Sequence, residues 1–401
     1  MNKIELLEMI KNGENSYVEF KLDLISPNEL SEEVVSFTNS DGGIILFGVD
    51  DNGDIKGITR SDLEEWTINI CRNNCEPGIL PFFEIVKGVE ANKDIGILKI
   101  PKGFVHKTNR GRWLIRVGST KRDATTEELA RLFQQRGLVH YDIAPVPGTA
   151  VKDIDIDRLN YYWNYILKRD KEELERNLEN LLVNTRIMVE TKEGRFLSVA
   201  GALVFAKNPQ NFLPQSGIIA VRFRGNEPDY ETLDRKNIEG TLVNSYSTNG
   251  EVKEYGVINL AVKFVEENTS IFSTMKGIVR QDVSQYRRET IREAIVNAVA
   301  HRHYSITGAK IRLFIFNNRL EIRSPGKIPN TVTIEQMKVT SHYSRNPEIV
   351  KFLTHYGYVE DVGLGIPNKI LRLSFQHSGI EPKLEEHGEE FIVTIFPAKP
   401  I

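Results

Sequence analysis

Residues 44–49 read Ile-Ile-Leu-Phe-Gly-Val, an unbroken apolar run held between Asp41-Gly42-Gly43 and Asp50-Asp51-Asn52-Gly53. A short apolar run bounded by turn residues predicts a strand. Asn52-Gly53 predicts a tight turn after it, since both residue types tolerate positive φ. The flanks then set the fold class. Residues 26–40 predict a helix: Ser26 can cap it, Pro27 suits its first turn, and Glu29 stands at the capping-box position. Residues 3–11 predict a short amphipathic helix ended by Gly13, and residues 18–22 a strand. Downstream, "FEIVKGVE", "DIGILKI" and "WLIRVG" predict three more strands, and "ATTEELARLFQQRG" a helix ended by Gly137. This mixture predicts an α+β domain over residues 1–140.

The chain has 401 residues, too many for one ordinary core, so two or three domains are expected. The Pro/Gly-rich and then acidic stretch "IAPVPGTAVKDIDID" marks a junction. A middle segment, 141–280, starts with a helical stretch at about 155–182. The strand-like runs "FLSVAGALVFA" and "GIIAVRFRG" make it mixed α/β. A third part, 281–401, opens with the helix "SQYRRETIREAIVNAVAHRHY", followed by strands "AKIRLFIF" and "RLEIRS". The apolar share of 40% and charged share of 27% exclude long disorder. A formal net charge of -3 gives the whole molecule no attraction to nucleic acid, so any such surface must come from local segregation. No apolar run approaches the roughly 20 residues that cross a bilayer. The N-terminus lacks the apolar stretch of a signal peptide, and Cys71 and Cys75 have no second pair for a zinc site. A cytoplasmic protein without membrane partners or disulfides is expected.

Three acids and a lysine stand out in the first domain. Residues i and i+2 of a strand share a face, so Glu19 and Lys21 point together. The C-terminal end of the strand at 44–49 carries Asp50 and Asp51, and Glu14 lies just before the first strand. Converging, Glu14, Glu19 and Asp51 would suit Mg²⁺ or Mn²⁺, hard cations that take oxygen ligands. Such a metal would serve phosphodiester cleavage, with Lys21 steadying the oxyanion. The same residues are also explained as an exposed strand edge and a turn.

Between Lys99 and Arg122 lie eight basic residues and no acid: Lys99, Lys102, Lys107, Arg110, Arg112, Arg116, Lys121 and Arg122. Phe104 and Trp113 are interleaved with them. Basic groups with aromatic platforms suit a nucleic-acid backbone and stacked bases. A solvated hairpin with a core tryptophan is the plainer alternative.

"GENSYVEFK", "SFTNSDGGIILFGVDDNGDIKGI" and "RWLIRVGSTKRDATTEEL", in that order, closely resemble the Schlafen AlbA-type domain across nearly all of residues 13–130. The resemblance implies an α+β nucleic-acid-binding domain. In its nuclease members it implies a metal-dependent ribonuclease site at the positions of Glu14, Glu19 and Asp51. Many bacterial relatives with these motifs are described as DNA-binding regulators. Nuclease Schlafens use two such lobes in one chain; here a homodimer would supply the second.

In "REAIVNAVAHRHY", Glu293 and Asn297 are four apart on one helix face, and His301 continues it. With "GALVFAKNPQNFLPQ", "LEIRSPGKIP", "SRNPEIV" and "GYVEDVGLGI", this resembles the C-terminal domain of bacterial proteins called transcriptional regulators or RecG-like helicases. That domain is similar to a divergent GHKL ATPase, an α/β sandwich. The resemblance implies that Glu293 prepares the attacking water, Asn297 helps hold Mg²⁺ on ATP phosphates, and Gly363 and Gly365 let the backbone approach them. "SPGKIP" lacks the Asp with which GHKL loops read adenine, and no G-x-x-x-x-G-K-[ST] loop is present. The chain stops straight after its last strand, where many relatives continue into a winged helix.

Two functions follow as expectations. The first is a metal-dependent endoribonuclease acting on RNA such as tRNA, gated by the C-terminal domain and suited to defence or stress. The second is an ATP-responsive DNA-binding transcriptional regulator without nuclease activity. An assembly scaffold with both sites vestigial is the third and blandest reading. RNA or DNA and further copies of the chain are the expected partners.

Overall fold

The computed structural model describes residues 1–90, 93–135, 140–276, 279–328, 333–339, 344–359 and 364–398. The chain forms two compact units, Met1–Leu138 and Val139–Ile401.

In the first unit, helix α1 spans Lys3–Asn12 and ends at Gly13 with φ 74°. The reciprocal capping box sits here: Asn2 accepts the Glu5 N–H, and Glu5 accepts the Asn2 N–H. At helix α2, Pro27–Asn39, Ser26 accepts the Glu29 N–H at 3.2 Å. Strand β1 (Val18–Lys21) runs parallel to β2 (Gly43–Phe47). Helix α3 covers Leu63–Asn73, and strands β3 (Phe82–Glu90) and β4 (Lys93–Ile100) complete an open sheet of order β1-β2-β4-β3. A separate hairpin pairs β5 (Leu114–Val117) with β6 (Thr120–Asp123), and helix α4 follows at Thr126–Gln135.

The unbroken apolar run at β2 has a physical reason. Ile45 and Phe47 pack against Leu30, Val34 and Phe37 of α2. Leu46 and Val49 pack with Leu6 and Ile10 of α1 and Phe20 of β1. A strand buried on both faces has no solvent side on which to alternate polar residues.

In the second unit, helix α5 (Val199–Phe205) is buried at all seven positions. The expectation of strand over "FLSVAGALVFA" is corrected here: only Gly194–Leu197 is strand, and the chain then turns helical. A wholly apolar run carries no period that separates a buried helix from a buried strand. The deciding residue is Ser198, whose hydroxyl accepts the Gly201 N–H at 2.8 Å and caps the helix. The helical stretch expected at 155–182 is broken into Ile156–Tyr161, a π-turn at Tyr162–Ile166, Lys171–Arg176 and Leu178–Asn184.

Strands β7 (Ile218–Phe223) and β8 (Thr232–Ile238) precede helices α6 (Val257–Glu267) and α7 (Arg288–Ala300). Then come β9 (Ile311–Ile315), β10 (Leu320–Pro325), β11 (Lys383–His387) and β12 (Glu390–Ile395). They build one six-stranded sheet of order β8-β7-β9-β10-β12-β11, in which β7 runs parallel to β9. One core cluster extends from Val146 to Ile395 and includes Ile258 and Phe264 of α6 and Ile295 and Val299 of α7. Segments read from sequence as a middle region and a C-terminal part therefore share a core and a sheet. Among the described residues no helix is long and apolar enough to cross a membrane.

Gly201 marks the tightest point of this core, since a Cβ there would lie 2.0 Å from the Ile187 carbonyl oxygen. Gly201→Ala is expected to cost about 1–3 kcal/mol by overpacking. That lowers the melting temperature of the second unit by roughly 5 °C, read by calorimetry.

Candidate functional site

The centre of the first unit is a buried charge network. From β5, Arg116 reaches into the interior, its side chain 1% exposed, and pairs with Glu19 of β1 and with Glu33 of α2 at 3.2 Å. It also donates to the carbonyls of Asn15 and Ser119 and lies 4.2 Å over the Phe37 ring. Lys21 takes the other Glu19 oxygen at 2.6 Å, and Lys121 of β6 takes the other Glu33 oxygen at 2.8 Å. Glu19 and Lys21 do share a face, as strand geometry requires, but that face points inward onto α2 and the β5–β6 hairpin.

Glu14 accepts the Phe20 N–H at 2.9 Å. Burial raises its carboxyl above the usual range; the Phe20 bond opposes this, and the Glu19 and Asp51 carboxylates add to it. The three acids thus share an electrostatic neighbourhood. Asp51 itself is exposed, in a turn organised by Asp50, which accepts the N–H groups of Asn52 and Asp54. Among the described residues no group of three or more His, Cys, Asp or Glu side chains is placed to hold a metal ion. The donor chemistry agrees: both Glu19 oxygens are already held by cations. The acids as arranged do not fit a divalent metal.

The basic stretch is largely neutralised by acids from elsewhere in the unit. Lys99 pairs with Glu84 at 2.7 Å, Lys102 with Asp41 at 2.8 Å, and Lys107 with Glu76 at 3.0 Å. Arg112 pairs with Glu32 at 2.5 Å and Asp123 at 2.8 Å, and Arg122 with Glu128 at 2.6 Å. Arg110 is exposed and, among the described residues, carries no such ion pair. Arg116 belongs to the interior and Lys121 is partly buried beside it, so these two are not surface groups. Trp113 packs edge-to-face on Phe133 of α4 at 5.5 Å and is a packing residue; Phe104 is exposed.

Sequence reasoning missed Glu33. A signal was present: Leu30, Glu33, Val34 and Phe37 follow the i, i+3, i+4, i+7 spacing of one helix face. A carboxylate on the apolar stripe of α2 needs a buried partner.

In the second unit, α7 brings Glu293 and Asn297 together. The Asn297 amide donates to the Glu293 carboxylate at 2.9 Å and to its carbonyl at 2.8 Å. Gly365 lies against the same carboxylate, where a Cβ would be 1.9 Å from Oε1. Lys369 adds a cation 3.7 Å from Oε2. Gly363 lies outside the described residues. His301 terminates α7, and burial, with the Arg345 cation beside it, pushes its imidazole down to about 4, so it is neutral at physiological pH.

Comparison with known proteins agrees with this division. Residues 14–125 match the family "Schlafen, AlbA_2". Residues 308–395 match the family "Putative ATP-dependent DNA helicase recG C-terminal". One match thus falls in each unit, the Schlafen AlbA_2 likeness in the first and the RecG-C-terminal likeness in the second. One similar solved structure is the DIP2311 protein from Corynebacterium diphtheriae. At 20% identity and a TM-score of 0.48, the likeness covers 99% of this chain and 80% of that one. No curated protein matches.

Removing the Arg116 cation strands two buried carboxylates. Arg116→Met is expected to destabilise the first unit by about 3–5 kcal/mol. Adding Glu19→Gln should restore part of that loss, measured by urea denaturation as a double-mutant cycle. Glu14 carries the opposite sign. A carboxyl with a raised folded-state pKa costs stability where it is ionised, and the cost vanishes as pH falls below its unfolded value. Glu14→Gln keeps an oxygen for the Phe20 N–H, so it should raise thermal stability at neutral pH. The gain should shrink as pH falls through the glutamate range.

Proposed function

We propose that the chain is a nucleic-acid-binding regulator whose first unit grips a phosphate backbone and whose second unit takes a nucleotide, such as ATP, beside Glu293. The observation that carries this reading is how the charges divide. The acids Glu19 and Glu33 are consumed internally by Arg116, Lys21 and Lys121. The remaining cations, Lys99, Lys102, Lys107, Arg110, Arg112 and Arg122, stand at the surface in pairs or alone. Exposed ion pairs are worth about 0–1 kcal/mol, so a polyphosphate chain can exchange them at little cost. Exposed Phe104 offers a ring to a base within the same stretch.

The nucleotide half of the proposal rests on the Glu293–Asn297 pair and Gly365. The amide fixes the carboxylate, and Gly365 lets the backbone of the following segment lie directly against it, the close backbone approach that a phosphate-binding glycine loop uses.

A second reading, the metal-dependent endoribonuclease, is favoured by the shared field of Glu14, Glu19 and Asp51. It requires that Glu19 be released from its cations.

Fluorescence anisotropy with labelled RNA and DNA over a salt series decides the first reading. Affinity is expected to fall steeply with salt, and Lys107→Ala and Arg110→Ala should each reduce the slope by about one. Salt-independent binding sinks the proposal. Incubating the same RNA with Mn²⁺ separates the second reading: cleavage by the wild type that Glu19→Gln abolishes would replace a binder with a nuclease.

A further inference from the structure

The edge strands of the two main sheets are protected unequally. At β1 the Glu14 carboxylate already takes the Phe20 N–H. The edge strand β8 carries Asp234, Arg235 and Lys236 in a row, and the edge strand β11 carries Lys383, Glu385 and Glu386. Charges and side-chain caps of this kind keep an edge from pairing. Strand β3 is the exception. From Phe82 to Val86 its one charge is Glu84, which is turned back into its own unit by Lys99 at 2.7 Å and the Met1 ammonium at 3.1 Å. The remaining residues, Phe82, Phe83, Ile85 and Val86, are aromatic and β-branched, the composition that favours a strand. Among the described residues, the backbone of Phe82–Lys87 has no hydrogen-bond partner besides β4.

The side chains of this edge are open as well. Phe82 is 59% exposed and Ile85 42%, and Leu80 just before the strand is more exposed still. Register explains Ile85: it lies beside Gly96 of β4, which offers no side chain to pack on. Phe83, on the same face, packs with the core of α2 and α3. The open stretch ends at Gly88, where a φ of 61° and a shifted register break the ladder.

We propose that β3 pairs antiparallel with β3 of a second copy of this chain, about a two-fold axis through Ile85. An axis normal to the sheet keeps each face on its own side, so one residue must lie opposite its own copy. Centring on Glu84 would oppose two carboxylates, and centring on Lys87 two ammonium groups. Centred on Ile85, the two exposed isoleucines meet, Glu84 lies opposite Val86, and Phe83 lies opposite Lys87. No like charges are then directly opposed. The two Glu84 carboxylates fall on the diagonal, each with its own Lys99 and Met1 cations beside it. Pairing joins the two sheets into one, satisfies the open backbone groups and covers Phe82 and Ile85. It also fixes two copies of the 99–122 stretch in a two-fold relation. The inference does not depend on what that stretch binds.

The test uses the full chain in analytical ultracentrifugation over a concentration series. The wild type is expected to show a monomer–dimer equilibrium. Ile85→Lys sets two cations at the axis and should weaken the dimer about a hundredfold, with the melting temperature of dilute protein unchanged. Leu233→Lys, a comparably exposed change on β8, should leave the dimer intact. Ile85→Cys reads the register, because directly opposed residues of an antiparallel pair have Cα atoms about 4.5–5.5 Å apart, within disulfide reach. Mild oxidation should link two copies of that variant and leave Lys87→Cys unlinked, with Cys71 and Cys75 buried away from the reaction. A wild type that stays monomeric overturns the inference. So does a dimer that survives Ile85→Lys, or one in which the Ile85→Cys variant fails to cross-link.

Discussion

A buried guanidinium between two buried carboxylates organises the first unit. Arg116 ties β1 through Glu19 to α2 through Glu33, and Lys21 and Lys121 balance the remaining oxygens. Charges this deep are tolerated only when paired and hydrogen-bonded. The hairpin that carries Arg116 is not part of the main sheet, so this network and the contacts with α2 hold it in place. The same pairing occupies both oxygens of Glu19, which in this arrangement is a structural anion.

That constraint changes how the basic stretch is understood. Eight cations without an intervening acid look, in one dimension, like a positive surface. In three dimensions acids from α2, β3 and the turn before β2 return to meet them, and the surviving contrast is between buried and exposed pairs. Arg116 and Lys121 maintain the fold; the exposed cations are available at low cost to a phosphate chain. The second unit repeats the theme on its open sheet face, where Glu321 anchors two arginines over phenylalanine rings.

The site at α7 depends on a different economy. Glu293 and Asn297 are brought together by helical spacing alone, and Gly365 arrives from a distant segment to lie against their carboxylate. Lys369, one helical turn further on, supplies a counter-charge that spacing within α7 could not reveal.

Local patterns determined a good deal. The apolar run at β2, the Ser26 and Gly13 helix boundaries, the α7 helix and the pairing of Glu293 with Asn297 follow from periodicity, capping and i, i+4 geometry, all of them short-range. The α+β class follows from their order. Tertiary structure alone decided the rest, because it depends on which distant surfaces meet. It made "SVAGALVF" a buried helix where composition allowed a strand, since burial on every side erases the period that tells them apart. It joined residues 141–280 and 281–401 through the parallel pairing of β7 and β9. And it drew Arg116 between Glu19 and Glu33, about a hundred residues from the first and eighty from the second, where only the cost of burying an unpaired charge selects the partner.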